Sequence, residues 1–394
     1  MEKLVYTTLL AFSLVASPLS LGAQENDSVP PVPSVSQTTM GADTLTMPKP
    51  KKGFFRKMGG VIGKFFKEFN NIDTSYIEPQ HYNYTVMLQN TNTYELYTLS
   101  SKEGQSITFA PDLSWRFGPY VGWRWVFLGY TVDLKNINFS SRHTSKKEFT
   151  LSLYSSMLGV DLFWRETGND YHVSKLYLGD DASDIDTSPM KGAGFDGLNS
   201  SIKGLNLYYI FNHRKFSYPA AYAQSTIQRR SAGSLLAGIG VTKHTLEVDW
   251  EKLENLATEK LGPNIKGTEH LDKSMKFGTV KYLDISLSAG YAYNWAFAQN
   301  WLFNASLSMA LAYNQSSSDV EHEDNVPATR EFSFNNFNLD GIGRFGLVWN
   351  NMRWYAGASA ILHTYNYKKD RFQTNNSFGC LNIYVGVNFG KRKK

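Results

Sequence analysis

The sequence predicts an all-β chain, specifically a transmembrane antiparallel up-and-down β-barrel of about 12 strands, with about ten as the alternative, since barrels of this class carry even numbers. Three observations carry that expectation. Apolar and polar residues alternate with period two from Tyr82 onward, Trp, Tyr and Phe gather at the ends of the alternating runs, and short turns alternate with long polar loops.

The alternation is first clear between Ile107 and Leu134. Ile107, Phe109, Leu113, Trp115 and Phe117 interleave with Thr108, Ala110, Asp112, Ser114 and Arg116, and Gly118-Pro119 reads as the reversal. The return segment carries Val121, Trp123, Trp125 and Phe127 on one face, then Leu128, Tyr130, Val132 and Leu134 on the other. One extra residue swaps the faces of a strand, so a β-bulge is expected near Leu128-Gly129.

Further strands are expected at Tyr82 to Leu99 (one bulged strand or two), Phe149 to Trp164, Tyr171 to Leu178, Leu205 to Phe211 and Leu235 to Val241. The last third continues with Leu283 to Trp295, Trp301 to Tyr313, Phe337 to Trp349, Trp354 to Leu362 and Leu381 to Phe389. Phe297 to Asn300 and Asn350-Asn351 are short turns. Lys135 to Lys147, Gly179 to Asn199, Thr242 to Phe277, Gln315 to Thr329 and Lys368 to Asn376 are long polar loops, which this class places on the outer side. Weak helical periodicity over Glu247 to Leu261 suggests a short helix in the largest of them. Asn212 to Ser231 is then an unusually long inner connection, either a plug under the barrel or a misplaced strand boundary.

Ahead of the barrel, residues 1–23 read as a cleavable secretory leader, with Lys3, the apolar run Leu4 to Leu21, and small residues before Gln24. Residues 24–50, rich in Pro, Ser and Thr, read as a disordered periplasmic linker. Residues 51–80 form a basic segment in which Phe54, Met58, Phe65 and Phe69 recur at helical spacing, suited either to an anionic membrane face or to the barrel mouth. The barrel occupies 81–390 and a basic tail 391–394. Beyond the leader, no apolar run approaches the ~20 residues a spanning helix needs. A net charge of +5 is too small to imply nucleic acid, and one cysteine, Cys380, cannot form an internal disulfide.

Three strings are distinctive: Ile72-Asp73-Thr74-Ser75-Tyr76-Ile77-Glu78-Pro79, Gly118-Pro119-Tyr120-Val121-Gly122-Trp123-Arg124-Trp125, and Phe216 to Ser234 with Tyr218-Pro219-Ala220-Ala221 and Arg230-Ser231-Ala232-Gly233-Ser234. As a set they resemble an uncharacterised family of Bacteroides-type outer-membrane barrels, a domain of unknown function, over Phe69 to Phe389. The resemblance implies a barrel in the outer membrane of a Gram-negative cell and supplies no activity, so no catalytic residue is carried over. The last strand, with Tyr384, Gly386 and Phe389, is also similar to the signal read by the barrel-assembly machinery, although Gly390 to Lys394 follow it.

With the apolar face turned to lipid, Asp112, Arg116, Arg124, Asp161, Asp284, Asp340 and Arg344 point into the lumen. Both signs are present, so these residues suit an ion-pair network filling the barrel, or the lining of a narrow polar pore. His143 and Ser145 are two apart on one face of an extended segment, which leaves open a barrel-embedded lipid hydrolase. A soluble periplasmic β-sandwich is the third class, because alternation alone does not separate lipid from a second sheet. No metal or cofactor motif is found, and the expected partners are outer-membrane lipid and, during biogenesis, the assembly machinery.

Overall fold

The computed structural model describes residues 71–111, 114–123, 126–129, 132–133, 147–167, 171–182, 184–262, 276–277, 279–318, 337–368 and 372–392. The expected leader and linker, and the basic segment as far as residue 70, lie outside them.

Among these residues the chain is almost entirely antiparallel strand. It opens with β1 (Ile77–Pro79), β2 (Tyr82–Ser101), β3 (Ser106–Pro111), β4 (Ser114–Trp123), β5 (Val126–Gly129) and β6 (Val132–Asp133). Next come β7 (Lys147–Tyr154), β8 (Leu158–Thr167), β9 (Tyr171–Tyr177), β10 (Gly194–Phe195) and β11 (Leu198–Ile210). Helix α1 (Tyr218–Tyr222), β12 (Thr226–Gln228), β13 (Ala232–Val248) and α2 (Trp250–Leu261) follow. The last third is β14 (Thr279–Ala298), β15 (Trp301–Ser318), β16 (Phe337–Asn350), β17 (Trp354–Lys368) and β18 (Phe372–Lys391).

Pairing runs β7-β8-β11-β13-β14-β15-β16-β17-β18-β2-β4-β5, so that neighbours on this path follow one another in the chain among these strands, and the last, β18, meets the first long one, β2. That is an up-and-down barrel wall. The large sheet has sixteen segments; β3 and β4 both pair with β2, β5 and β6 both pair with β4, and β9 and β10 hang from β3, which leaves twelve wall strands among the described residues.

The two faces of the wall are chemically opposite. Leu235, Ile239, Leu287 and Leu307 are each at least 60% exposed on the outside, whereas Asn294, Asn304, Asp284, Asp340 and Arg344 are buried inside. A soluble sandwich buries its apolar faces against each other; here the apolar face is the exposed one, as a lipid-facing barrel requires. Trp123, Trp295, Trp301, Trp354 and Phe389 ring the outside at the short-turn end, the position of an interfacial girdle.

Several expectations are corrected. Gly118-Pro119 is not a turn: it lies inside β4, opposite Gln89 and Leu88 of β2, and the chain reverses between Trp123 and Val126, which pair directly. Pro119 thus sits within a strand and has no N–H to give to a ladder. The bulge is also elsewhere. Tyr97 faces Phe109 but Thr93 faces Ser114, so one extra residue lies between β3 and β4, while Arg116↔Asp133 and Tyr120↔Gly129 keep one register across β5 and β6. Phe149 to Trp164 is a hairpin, not one strand: Ser155 closes the turn, its amide and hydroxyl donating to the Leu158 carbonyl and its Oγ accepting from the Leu158 amide, each at 2.9 Å. β9 forms as expected but pairs with β3 and β10, not with the wall strands that flank it in sequence. The expected loop from Thr242 is strand to Val248, followed by the anticipated helix, α2. Asp249 caps α2 by accepting from the Lys252 amide at 3.1 Å, and Gly262 ends it at φ +96°.

Candidate functional site

The lumen is built in layers, and the first is the connection Asn212 to Ser231, which enters the barrel as a plug. Ser217 caps α1, its hydroxyl accepting from the Ala220 amide, and Pro219 suits the first turn of so short a helix. Inward-facing polar residues near the short turns then hold it. The Tyr218 hydroxyl lies 2.6 Å from Ser306 Oγ, Tyr222 donates to Asn304 Oδ1 at 2.6 Å, and Gln224 Nε2 donates to the Tyr384 hydroxyl at 2.9 Å. Asn294 Nδ2 donates to the Ser217 carbonyl at 2.8 Å and to Gln228 Oε1 at 2.9 Å. Below the plug, β12 pairs with β1, so the first described strand is tied to the same assembly.

The second layer is ionic. Arg344 Nη2 of β16 donates to Asp161 Oδ2 of β8 at 2.5 Å, with both side chains almost fully buried, and Ser152 donates to the other Asp161 oxygen at 2.7 Å. The guanidinium also sits 4.9 Å from the centre of the Tyr208 ring. The Tyr208 ring lies over its register partner Gly159 on the neighbouring β8, where a Cβ would lie 2.1 Å from the ring. Small residues on β14 and β15 make the remaining room, and beside Arg344 the hydroxyls of Ser286, Ser288 and Ser308 line a cavity of 20 Å³, space for about one water. A second buried pair joins Arg165, four residues from Asp161 on β8, to Glu95 of β2 at 3.5 Å, where Glu95 also accepts from Asn376 at 3.2 Å.

Toward the outer end come Asp340, which accepts from the Asn366 amide at 2.9 Å, and Asp284, whose carboxylate lies 3.4 Å from His244 Nε2. Above them lies an apolar core. Phe109 stacks on Phe195 at 5.2 Å, Phe277 on Phe372 at 4.7 Å, and Leu253 and Ala257 of α2 pack into the same cluster as Leu99, Ile107 and Val173.

Of the residues singled out from sequence, Asp161, Asp284, Asp340 and Arg344 are buried in the lumen, and Arg116 is half-buried on β4. Of these five, Asp161 and Arg344 form an ion pair with each other. Asp112, Arg124, His143 and Ser145 lie outside the described residues. The sequence reading missed Glu95, Arg165, His244 and His363, all buried. Period two would have found the first two, since Glu95 sits between outward Tyr94 and Leu96 and Arg165 follows outward Trp164. His244 lies where a loop is expected from Thr242, and His363 one residue past the expected end of the strand Trp354 to Leu362.

The wall, and the plug and ion pairs its lumen holds, define the class: an antiparallel transmembrane β-barrel. More particularly, the chain belongs to the family described as Domain of unknown function (DUF4421), which it matches over residues 71–389. Among solved structures it is similar to the outer membrane protease OmpT from Escherichia coli, at 7% identity and a TM-score of 0.32, covering 78% of this chain and 97% of that one. It is also similar to the P. putida toluene transporter TodX (10% identity, TM-score 0.21, 79% and 91% covered) and to the translocator domain of autotransporter NalP from Neisseria meningitidis (9%, 0.26, 86% and 96%). Likenesses this distant carry nothing about activity. No curated protein matches the chain.

Proposed function

We propose that the protein is an outer-membrane barrel closed to solute flow, acting as a structural or surface-interaction protein and not as an open pore. The observation that supports this reading is the order of layers: hydrogen-bonded plug, buried Arg344–Asp161 pair and apolar cap follow one another along the lumen. A permeation path would instead need a continuous water-lined passage. The exposed apolar wall supports residence in lipid, and the Bacteroides-type outer membrane, with leader residues 1–23 removed and the assembly machinery as biogenesis partner, is the proposed location. The folded outer end, with α2 and the β9–β10 segment, is the surface offered to partners. Liposomes containing the folded protein should swell in sugar solutions no faster than empty ones; size-dependent swelling would sink the proposal.

A further inference from the structure

Four carboxylates but only two guanidiniums are buried among the described residues. Asp161 pairs with Arg344 and Glu95 with Arg165, which leaves Asp284 and Asp340 with no buried cationic partner. Asp340 at least accepts a backbone amide. Asp284 has neither: both of its oxygens lack a hydrogen bond, and so do both nitrogens of His244 and both ends of the Asn314 amide.

These three side chains are neighbours. Asp284 on β14 faces Asn314 on β15 directly, and on the other side it meets His244 of β13 at 3.4 Å. All three are at most 4% exposed. His244 is held in place by rings, stacked on Tyr282 at 4.4 Å and edge-on to Tyr365 at 5.0 Å. Leaving one such polar group buried and unsatisfied costs about 1–3 kcal/mol, and more for a charge. Three adjacent ones, on rigid strands, are the arrangement of a ligand cage.

We propose that His244, Asp284 and Asn314 bind a divalent metal ion of the Mn²⁺ to Zn²⁺ type beneath the outer cap. The donor set is one imidazole nitrogen, one carboxylate and one amide oxygen, with water completing the shell. No three of His, Cys, Asp or Glu converge among the described residues, so the mixed set excludes a thiolate or all-histidine site and favours an ion that accepts both nitrogen and oxygen. A dication would offset the two unmatched charges of Asp284 and Asp340 together. Because the site lies under the cap, the ion is captured as the barrel folds. This inference is independent of whether the lumen conducts.

The test is to refold the full chain in detergent with Mn²⁺ or Zn²⁺, remove free ion and measure metal per chain, with heat-modified gel migration reporting folding. The expected result is a ratio near one, lost in Asp284→Asn and His244→Gln but kept in Asp340→Asn. Those losses should exceed the roughly 10–100-fold that removing a supporting outer-shell partner costs. Electron spin-echo spectra of the Mn²⁺ form should show coupling to imidazole ¹⁴N, a wild-type readout that stands if the variants do not fold. Folded wild type that retains no ion, binding unchanged in Asp284→Asn, or Mn²⁺ without nitrogen coupling would each overturn the proposal.

Discussion

The two ends of the barrel are closed by different physics. At the short-turn end a segment of chain is threaded into the lumen and held by side-chain hydrogen bonds to Asn294, Asn304, Ser306 and Tyr384. At the long-loop end the wall strands outrun the lipid and their inner faces become an apolar core. On β13 the change is visible residue by residue. Leu235, Ile239 and Val241 are the outward apolar residues; beyond Thr242 the outward positions are Lys243, Thr245 and Glu247, and the apolar ones, Leu246 and Val248, turn inward. β2 does the same after Leu96, with Tyr97 and Leu99 buried. The strand is continuous while its polarity inverts, because lipid has been replaced by water outside and polar lumen by core inside.

Between the ends sits a charged layer, and breaking it should have the largest effect. Arg344→Met removes one partner of a buried pair and strands Asp161, so a loss of about 3–5 kcal/mol is expected in urea unfolding from bilayers. Arg344→Met with Asp161→Leu should recover much of that loss; no recovery would mean the pair does not act as a unit. Next comes the apolar end: Phe109→Ala deletes a fully buried ring stacked on Phe195 and is expected to destabilise by about 3–5 kcal/mol.

The plug should respond more gently to a single change. Tyr218→Phe loses one hydrogen bond while keeping the ring in its cluster, an expected cost of about 0.5–1.5 kcal/mol. If it matched Phe109→Ala, the contrast between a hydrogen-bonded end and a core-packed end would fail. The smallest effect belongs to the turn that leads into β1. Asp73 accepts from the Ser75 hydroxyl at 2.6 Å and amide at 3.0 Å, which hold its carboxyl below the ordinary 3.8. A lowered native pKa stabilises above the unfolded value and the benefit fades as pH falls through the native one. Ser75→Ala should therefore raise the Asp73 pKa toward 3.8 in an NMR titration, with little change in stability at neutral pH.

The same contrast explains what could be read from the sequence. The last third was legible because bulky outward residues such as Leu287, Tyr291, Leu307 and Leu311 alternate with small or polar inward ones for most of their length. The outer strand ends were not, since the inversion that builds the cap breaks the apolar-out pattern, and β13 beyond Val241 reads as loop. Gly118-Pro119 reads as a turn because Gly and Pro are turn residues, whereas its pairing with Gln89 and Leu88 of β2 depends on a strand elsewhere in the chain. The expected strand number agrees with the wall partly by compensation, because Phe149 to Trp164 hides a hairpin and Tyr171 to Leu178 is not a wall strand. At the site, period two placed Asp161, Asp284, Asp340 and Arg344 on the lumen side, but not which charges meet. That depends on how β8 and β16, separated by the four strands β11, β13, β14 and β15 along the pairing path, face each other across the barrel.

The closed lumen is tested most directly by recording from single folded chains in planar bilayers. Silence is expected from wild type, and equally from an Arg116→Ala, Arg344→Ala variant as long as plug and cap hold. Steady wild-type conductance, with an ion selectivity that shifts in the variant, would contradict the closed barrel and make the buried charges the lining of a pore.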